Sequence, residues 1–334
     1  MVTIKDVAKA AGVSPSTVSR VLTGDTSLRV GAETRARIVA AAERLRYTPS
    51  RAARAVRGGS SGAIGFAVHD ISNPVYAEVI RGAQRAASRH GLVVLLADVE
   101  ELARDGAVFA SVVRSRAIDG LLLLPAGVAE DRTVAREVHG VVPAVVVADR
   151  QHGLSSVSLQ DRPAAELATR HLLDLGHTDI AHLQLDGNGE RGRDRLLGWR
   201  TAMGAAGLTP GADRLVVGGH TAESGRAAVA RLLRDGPPPT GIVAATALTA
   251  VGALSALRDA GLGVPHDVSV ISIHDVFFAE HLSPPLTAVR LPMQALGEAA
   301  VELLVETMGG APRRDLVVED PPELVVRGTS GAPG

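Results

Sequence analysis

Eight short apolar runs, separated by longer segments with helical spacing, constrain the fold of residues 63–273. Runs of this kind with intervening helices are typical of parallel sheets covered by helices on both faces. The runs are residues 63–68, 92–97, 118–124, 144–148, 180–185, 214–218, 241–245 and 268–273. Eight such units exceed what one small domain holds, so the pattern predicts an α/β body with two sheets.

Charge is distributed unevenly along the chain, although the formal net charge is only −1. Residues 1–60 contain 11 Lys and Arg and four Asp and Glu, which leaves 24 basic and 32 acidic residues for the remainder. The first segment therefore carries a formal charge of +7 and the rest −8. A basic module on an acidic body indicates a polyanion partner, and a merely solvated basic surface is the alternative.

The basic segment also has the periodicity of three short helices. Apolar residues recur at i, i+3, i+4 and i+7 from Ile4, which predicts a first helix that ends at Gly12. Ser14 is placed to cap a second helix, with Pro15 at its first position, and a third helix follows around Ile38. This all-α pattern predicts a helix-turn-helix, whose second helix enters the major groove of DNA.

The second predicted helix leaves polar side chains on its outer face. Hydroxyl groups there suit phosphate contacts, and Arg20 is the candidate reader of a guanine edge. Any three-helix miniature domain could share this periodicity, so the function depends on the residues themselves.

The literal sequence TIKDVAKAAGVSPSTVSRVLTG, followed by ETRARIVAAAERLRYTPSRAARAVR, resembles the DNA-binding headpiece and hinge of the lactose-repressor (LacI) family of bacterial transcription regulators. The match covers residues 3–57 and implies a headpiece at 1–48 followed by a hinge helix and linker at 49–61. The expected DNA-binding residues are Thr3, Ser14, Pro15, Ser16, Thr17, Ser19, Arg20, Ser50, Arg51, Ala53, Arg54, Val56 and Arg57.

The hinge departs from the family pattern at two positions. The resemblance implies that the hinge folds when two subunits meet on DNA and that an apolar side chain wedges into the minor groove. Val56 stands where leucine is usual, and Ser50 stands where asparagine is usual. A shorter, β-branched wedge is expected to kink DNA less, unless Val56 merely packs within the linker.

Several segments between Gly62 and about Arg327 resemble the effector-binding body of the same family, which is similar to a periplasmic sugar-binding protein. The implied domain is 62–330, with lobe 1 at about 62–158 and 290–320, lobe 2 at about 161–287 and 322–328, and crossings near 158–161, 287–290 and 319–323. A ligand is then expected between the lobes at the carboxyl ends of the strands.

The resemblance also implies a set of effector-binding residues, some of which depart from the family pattern. The set is Asp70, Asn73, Tyr76, Asp149, Arg191, Arg193, Arg195, His220, Thr246, His274 and Asp275. Thr246 and Ala247 stand where Asn-Asp is usual, His274 where an acid is usual, and His220 where a stacking aromatic residue is usual.

Three arginines, Arg191, Arg193 and Arg195, fall close together at a predicted helix N-terminus, a position that favours anions. Together with the exchange of acids for histidines, this predicts an anionic metabolite as effector, for example a phosphorylated or carboxylated one, beside the sugar or sugar derivative that the resemblance implies. Histidines that are simply tolerated wall residues, and a pocket that has lost its ligand, are the alternatives.

Gly187, Gly189 and Gly192 form a literal G-x-G-x-x-G after a predicted strand, with Asp213 at roughly the spacing of a dinucleotide site. An NAD-dependent oxidoreductase is therefore the enzyme alternative. The pattern is weak in a chain with 36 glycines, and no proton-transfer partner follows it. No other catalytic motif appears, and the sequence predicts no catalytic residue and no cofactor.

The remaining features narrow the class further. The absence of cysteine excludes disulfide frameworks and thiolate metal sites, and His69, His220, His274 and His281 form a metal site only if the fold brings them together. The N-terminus lacks the apolar core of a signal peptide, which favours a cytoplasmic, nucleoid-associated regulator over a plain solute-binding protein. We expect a homodimer on a pseudo-palindromic operator, no membrane association, and no C-terminal tetramerisation helix.

Overall fold

A computed structural model of the chain describes residues 2–22, 28–47, 60–104, 113, 115, 117–127, 129–150, 153–187 and 189–334. The chain divides into two compact units, Met1–Gly62 and Ala63–Gly334.

The first unit contains three helices, α1 (Ile4–Ala11), α2 (Pro15–Leu22) and α3 (Ala32–Arg44). Gly12 ends α1 with φ of +67°, a left-handed conformation that glycine adopts without steric strain. The helices share one apolar core, formed by Val7, Ala8, Ala11, Val18, Val21, Ile38, Ala41 and Ala42. The periodicity of the sequence therefore predicted the helices and their buried faces correctly.

The second unit contains two six-stranded sheets. The first sheet has the order β11-β5-β4-β3-β1-β2, and every described pairing in it is parallel. Its strands are β1 (Ala63–Val68), β2 (Val93–Asp98), β3 (Gly120–Leu124), β4 (Ala144–Val147), β5 (Ser155–Ser158) and β11 (Asp315–Val317). β1, β3 and β4 are fully buried, as the continuous apolar runs require.

The second sheet has the order β12-β10-β9-β8-β6-β7 and is parallel except for β12, which runs antiparallel to β10. Its strands are β6 (Ile180–Gln184), β7 (Leu215–Val217), β8 (Gly241–Ala244), β9 (Ser269–Ile273), β10 (Thr287–Arg290) and β12 (Glu323–Val325). The prediction of a two-sheet α/β body is thus confirmed.

Helices cover both sheets, and each sheet with its helices is called a lobe here. Lobe 1 carries α4 (Tyr76–Arg89), α5 (Val99–Arg104), α6 (Ala129–Val138) and α11 (Met293–Met308). Lobe 2 carries α7 (Asp161–Asp174), α8 (Glu190–Ala205), α9 (Ala222–Asp235) and α10 (Ala247–Asp259). Within lobe 1, α4 packs against α11; within lobe 2, α7 packs against α8 and α9 against α10.

The chain passes between the lobes three times. It leaves lobe 1 after β5 and returns to it after β10, then leaves again between β11 and β12. The second crossing differs from the expectation, because residues 287–290 are a strand of lobe 2 and the crossing follows Arg290. In a strand this short the apolar pattern is too brief to separate it from a connection.

Candidate functional sites

The polar face of α2 is built by local capping and packing. The Ser14 hydroxyl oxygen accepts a hydrogen bond from the Thr17 amide at 3.1 Å, so Ser14 caps the helix. Val18 and Val21 are buried in the core of the first unit, so the opposite face of α2 points to solvent. Ser14, Pro15, Ser16 and Arg20 are exposed, and Thr17 and Ser19 are partly exposed. The structure therefore brings these six predicted DNA-binding residues to one end and one face of α2.

Thr3 has a local structural role at the start of α1. The Asp6 carboxylate accepts hydrogen bonds from the Thr3 amide at 2.8 Å and from the Thr3 hydroxyl at 2.7 Å. Together these contacts fix the first turn of α1. The remaining predicted DNA-binding residues lie outside the described residues; they are Ser50, Arg51, Ala53, Arg54, Val56 and Arg57.

Between the lobes lies a small cavity, called the interlobe cavity here, at the carboxyl ends of the strands. Its volume is about 10 Å³, which is room for one water molecule at most. It is lined by Asn73, Val75, Tyr76, Leu185, Arg191, Arg195, His220, Thr246 and His274. Seven of the eleven predicted effector-binding residues therefore converge on one cavity, and the lobes are closed over it.

The first turn of α8 joins the two lobes. The amide of Glu190 donates to Oδ1 of Asp149, which follows β4, at 3.0 Å. Nη2 of Arg191 donates to the carbonyl of Pro125, which follows β3, at 3.0 Å. The Asp149 carboxylate thus already occupies the positive end of α8, where the sequence predicted an anionic ligand.

Arg195 is completely buried and connects three elements of lobe 2. Its Nε donates to Oδ1 of Asp161 at the start of α7, at 2.7 Å. Its Nη1 donates to the carbonyl of Ala245 after β8, and its Nη2 lies 3.1 Å from Nε2 of His274 after β9. All three nitrogens of this guanidinium therefore have partners within the protein, and Arg195 holds the residues of the cavity wall in place.

His274 is held in an unusual backbone conformation, with φ of +79°. Burial, and then the charges of Arg195 and Arg191, lower its pKa well below 6.5, so the ring is neutral at pH 7. A guanidinium only donates, so Nε2 accepts from Arg195 and Nδ1 carries the proton. Nδ1 is buried and has no hydrogen-bond partner among the residues that the structure describes.

His220 is the second imidazole of the cavity. Burial and the neighbouring Arg191 lower its pKa to about 4, although Asp186 acts in the opposite direction. Its Nε2 lies 3.0 Å from Oδ1 of Asp186 but makes no hydrogen bond. The contact is that of a ring that is neutral at pH 7 beside a carboxylate.

Three predicted residues come from lobe 1, at the end of β1 and the start of α4. Tyr76 is buried, and burial raises the pKa of its hydroxyl, although the charge of Arg191 opposes the shift. Asn73 lines the cavity and caps the turn through the Val75 amide at 3.1 Å. Asp70 accepts hydrogen bonds from the amide and hydroxyl of Ser72 and is not part of the cavity wall.

Arg193 lies on the exposed side of α8 and does not line the cavity. The expectation of three adjacent arginines therefore needs correction. Residues four apart on a helix share a face, whereas a residue midway between them points away. Only Arg191 and Arg195 of the three arginines point to the interlobe cavity.

Thr246 and Asp275 are both engaged within lobe 2. The Thr246 hydroxyl oxygen accepts from the Thr249 amide at 3.1 Å and so caps α10. The Asp275 carboxylate accepts from Arg290 at 2.6 Å and from Arg327 at 2.8 Å. Asp275 does not line the interlobe cavity, contrary to the placement that the resemblance implied, because its carboxylate is turned to these two arginines.

Asp275 instead lines a larger neighbouring cavity of about 370 Å³, called the side cavity here. The side cavity lies between the first half of α4 and the segment after β9, with Glu78, Arg81 and Phe277 on its walls. The Phe277 side chain is 76% exposed at its edge. The space between the lobes thus has a small part beside Arg191 and a larger part beside Phe277.

The glycine-rich segment serves the contact between the lobes. A Cβ on Gly187, whose φ is +81°, would lie 2.6 Å from the Gly127 carbonyl oxygen, and one on Gly189 would lie 2.8 Å from Oδ2 of Asp149. Asp213 precedes β7, at the amino end of the strand, whereas a ribose-binding acid follows its strand. This placement does not favour the dinucleotide alternative.

The four histidines considered as metal ligands do not converge. The rings of His69 and His220 lie 6.4 Å apart, but His281 is 74% exposed and faces Glu280. Within the described ranges, no group of three or more His, Cys, Asp or Glu side chains is arranged to hold a metal ion. No helix in the described part of the chain is long and apolar enough to span a membrane.

Sequence reasoning missed Asp161 and Pro125, which hold the two inward arginines. Asp161 is 34 positions from Arg195, and Pro125 is 66 positions from Arg191. The available signal was their position in the chain, because Pro125 directly follows β3 and Asp161 begins α7.

A helix-turn-helix unit and a two-lobed body with a cleft at the strand ends define a class of ligand-responsive DNA-binding proteins. The model of the lacI family of bacterial regulatory proteins matches residues 3–50, and that of the periplasmic binding protein-like domain matches residues 169–330. The HTH-type transcriptional repressor PurR of Vibrio campbellii (strain ATCC BAA-1116) is 31% identical over 333 residues, 98% of each chain. The chain belongs to the lacI family.

Solved structures agree with this assignment. The lac repressor dimer bound to operator and the anti-inducer ONPF is similar over 99% of both chains, with a TM-score of 0.81 and 28% identity. The structure of the transcriptional regulator CelR in complex with cellobiose is similar over 99% of this chain and 100% of the CelR chain. Its TM-score is 0.73 and its sequence identity is 30%. These comparisons confirm the family resemblance and the fold class. These relatives are transcription regulators.

Proposed function

We propose that this protein is a cytoplasmic transcription regulator of the repressor type. It binds a pseudo-palindromic operator as a homodimer, and a small molecule between the lobes controls it. The headpiece comprises residues 1–48, the hinge and linker 49–61, and the effector-binding body 62–330.

The observation that carries the proposal is the outer face of α2. Val18 and Val21 anchor the helix, Ser14 caps it, and Arg20 lies exposed on its last turn. A recognition helix needs this combination, because a rigid support lets short polar side chains reach base edges and phosphates. The lac repressor structure, which is bound to operator DNA as a dimer, supports the same reading.

The homodimer is supported by two exposed apolar surfaces of the second unit. β2 is an edge strand, and Val93, Leu95 and Leu96 on it are 38%, 49% and 39% exposed. Phe277 is exposed beside the side cavity. An uncovered apolar edge strand is a surface that pairs with another chain. Two-fold symmetry of the protein then requires symmetry of the half-sites.

Control by a ligand is supported by the interlobe cavity. Its walls come from both lobes, and Arg191 and Asp149 bridge them. A ligand that binds one arrangement of the lobes more tightly shifts the population toward it, and the DNA-binding form follows that shift. Both induction and corepression are compatible with this arrangement. The CelR complex contains cellobiose, a neutral sugar, and so gives a first ligand class to test.

The proposal is tested by selecting double-stranded DNA from a random pool with the full-length chain, followed by footprinting. We expect a pseudo-palindromic sequence. Arg20→Ala should reduce the preference for the selected sequence about 10-fold or more, because a bidentate arginine–guanine contact provides that discrimination. Arg44→Ala, which removes an exposed arginine at the end of α3, is the matched control and should change the footprint little. An unchanged footprint with Arg20→Ala would refute the assignment.

A further inference from the structure

Arg191 is a buried cation without a carboxylate partner. The residue is 8% exposed, and no Asp or Glu oxygen lies within 4.0 Å of its guanidinium among the residues with described side chains. Its described hydrogen bond goes to an uncharged group, the carbonyl of Pro125, at 3.0 Å. A buried arginine is normally paired, so this one is unusual.

The carboxylates around the cavity do not pair with Arg191. Four of them accept hydrogen bonds from other groups: Asp70 from Ser72, Asp131 through Oδ2 from the amides of Ala126 and Gly127, Asp149 from the amides of Arg150 and Glu190, and Asp161 from Arg195. The fifth, Asp186, lies beside His220. The described carboxylates therefore leave the Arg191 charge without direct compensation.

The charge of Arg191 also acts on both histidines of the cavity. Burial is the main cause of their lowered pKa values; the charge of Arg191 follows at His220, and the charges of Arg195 and then Arg191 follow at His274.

The cavity also offers donors. His274 carries its proton on Nδ1, which is buried and has no partner among the described residues, while its Nε2 is turned to Arg195. Nδ1 is therefore the ring nitrogen left for a ligand. Together with the guanidinium of Arg191 and the hydroxyl of Tyr76, it forms a set that suits an acceptor with several oxygens.

We propose that the ligand of the interlobe cavity carries an oxyanion group, a carboxylate or a phosphate, and that the guanidinium fork of Arg191 holds it. This inference depends on the proposed function only in assigning a ligand to the cleft. A cavity of about 10 Å³ does not admit such a group, so the lobes separate when it enters. Arg191 then exchanges the Pro125 carbonyl of lobe 1 for the oxyanion.

The test uses the melting temperature of the full-length chain in sodium phosphate, sodium acetate or sodium chloride at equal ionic strength. We expect phosphate, acetate or both to raise the melting temperature of the wild type by about 2–4 °C relative to chloride, in a concentration-dependent manner. Arg193→Gln, on the exposed side of the same helix, should respond like the wild type. Arg191→Gln should lose at least half of the response.

A second variant keeps the test decisive if Arg191→Gln does not melt cooperatively. Arg191→Lys retains the cation but not the planar fork, so its response should be smaller than that of the wild type. The proposal is overturned if the wild type does not respond to either oxyanion, or if a variant at Arg191 responds as the wild type does.

These outcomes separate the inference from the proposed function. Arg191→Gln should still select the same DNA sequence as the wild type, because the substitution lies in the second unit. Loss of sequence preference in the wild type would refute the proposed function and leave an oxyanion site in the cleft standing. Intact DNA selection without an oxyanion response would refute the inference alone.

Discussion

Arg195 and Asp161 form an ion pair that is closed to solvent, with 2.6 Å between Nη2 and Oδ1 and side-chain exposures of 0% and 3%. The pair ties the start of α7 to the middle of α8. Through its other nitrogens, Arg195 also reaches the ends of β8 and β9. One guanidinium therefore sets the relative positions of four elements at the floor of the cleft.

Removal of one partner should be strongly destabilising. Asp161→Asn keeps the shape but leaves a buried guanidinium uncompensated, and we expect the free energy of unfolding to fall by about 3–5 kcal/mol. Urea denaturation measures the change. Glu166→Gln, on the same helix, disrupts ion pairs with the exposed Arg162 and Arg170 and should cost about 1 kcal/mol or less. Equal losses for the two variants would show that the buried pair is not special.

Gly187→Ala should disturb the closed arrangement of the lobes. The added Cβ meets the Gly127 carbonyl at 2.6 Å in a left-handed backbone conformation, so strain of about 1–3 kcal/mol is expected. The radius of gyration from small-angle scattering should rise as the lobes part. Gly204→Ala, within α8 and with no atom within 4 Å of the new Cβ, should instead stabilise by about 0.5–1 kcal/mol. A Gly187 variant with unchanged scattering and stability would contradict the closed contact.

The buried histidines predict lower stability in acid. The folded pKa of His220 is about 4 and its ordinary value is 6.5, so the unfolded chain takes up the proton first as the pH falls. The stabilisation is therefore complete above about pH 6.5 and is lost progressively toward pH 4. At about 1.4 kcal/mol per pKa unit, His220 contributes about 3.5 kcal/mol at most.

Urea denaturation at pH 7.5 and 5.0 measures this effect. His220→Gln should show a smaller loss between the two pH values than the wild type. His281→Gln is the control, since that ring is 74% exposed. A pH dependence that is the same in both variants would mean that His220 is not the group responsible. His182, whose pKa burial also lowers to about 4, contributes to the remaining slope.

Substitutions of Thr246 test whether its hydroxyl has a structural role as the cap of α10. Thr246→Ala removes the cap of α10 and should lower the free energy of unfolding by about 1 kcal/mol, whereas Thr246→Ser keeps the hydroxyl and should restore most of it. Thermal denaturation of the three proteins tests this order. If the Ala variant were as stable as the wild type, the hydroxyl would not be needed as a cap.

Strands were predictable where the apolar run was long enough. All eight predicted runs contain a strand, from β1 through β4 and from β6 through β9. β5, with the sequence SSVS, was missed because Ser155 and Ser156 are buried by pairing on both sides and not by their own hydrophobicity. β10, β11 and β12 are equally short and form only as partners of strands distant in the chain.

The sequence by itself determined the fold class, and its literal resemblance to the LacI family indicated the class of protein. The helix periods of the headpiece, the turn at Gly12 and the apolar runs of the body are local features, and the local chain geometry is sufficient to express them. The convergence of strand ends on a cleft follows from the parallel sheets that those runs predict.

Only the tertiary structure decided which charges meet in that cleft. Arg191 and Arg195 face inward while Arg193 does not, Asp275 turns to two arginines, and Asp149 reaches α8 from the other lobe. These partners lie between 15 and 66 positions apart in sequence. Which side chains pair depends on how deeply each one is buried and on which other polar groups lie within reach of the same charge. No local sequence pattern encodes these distant contacts.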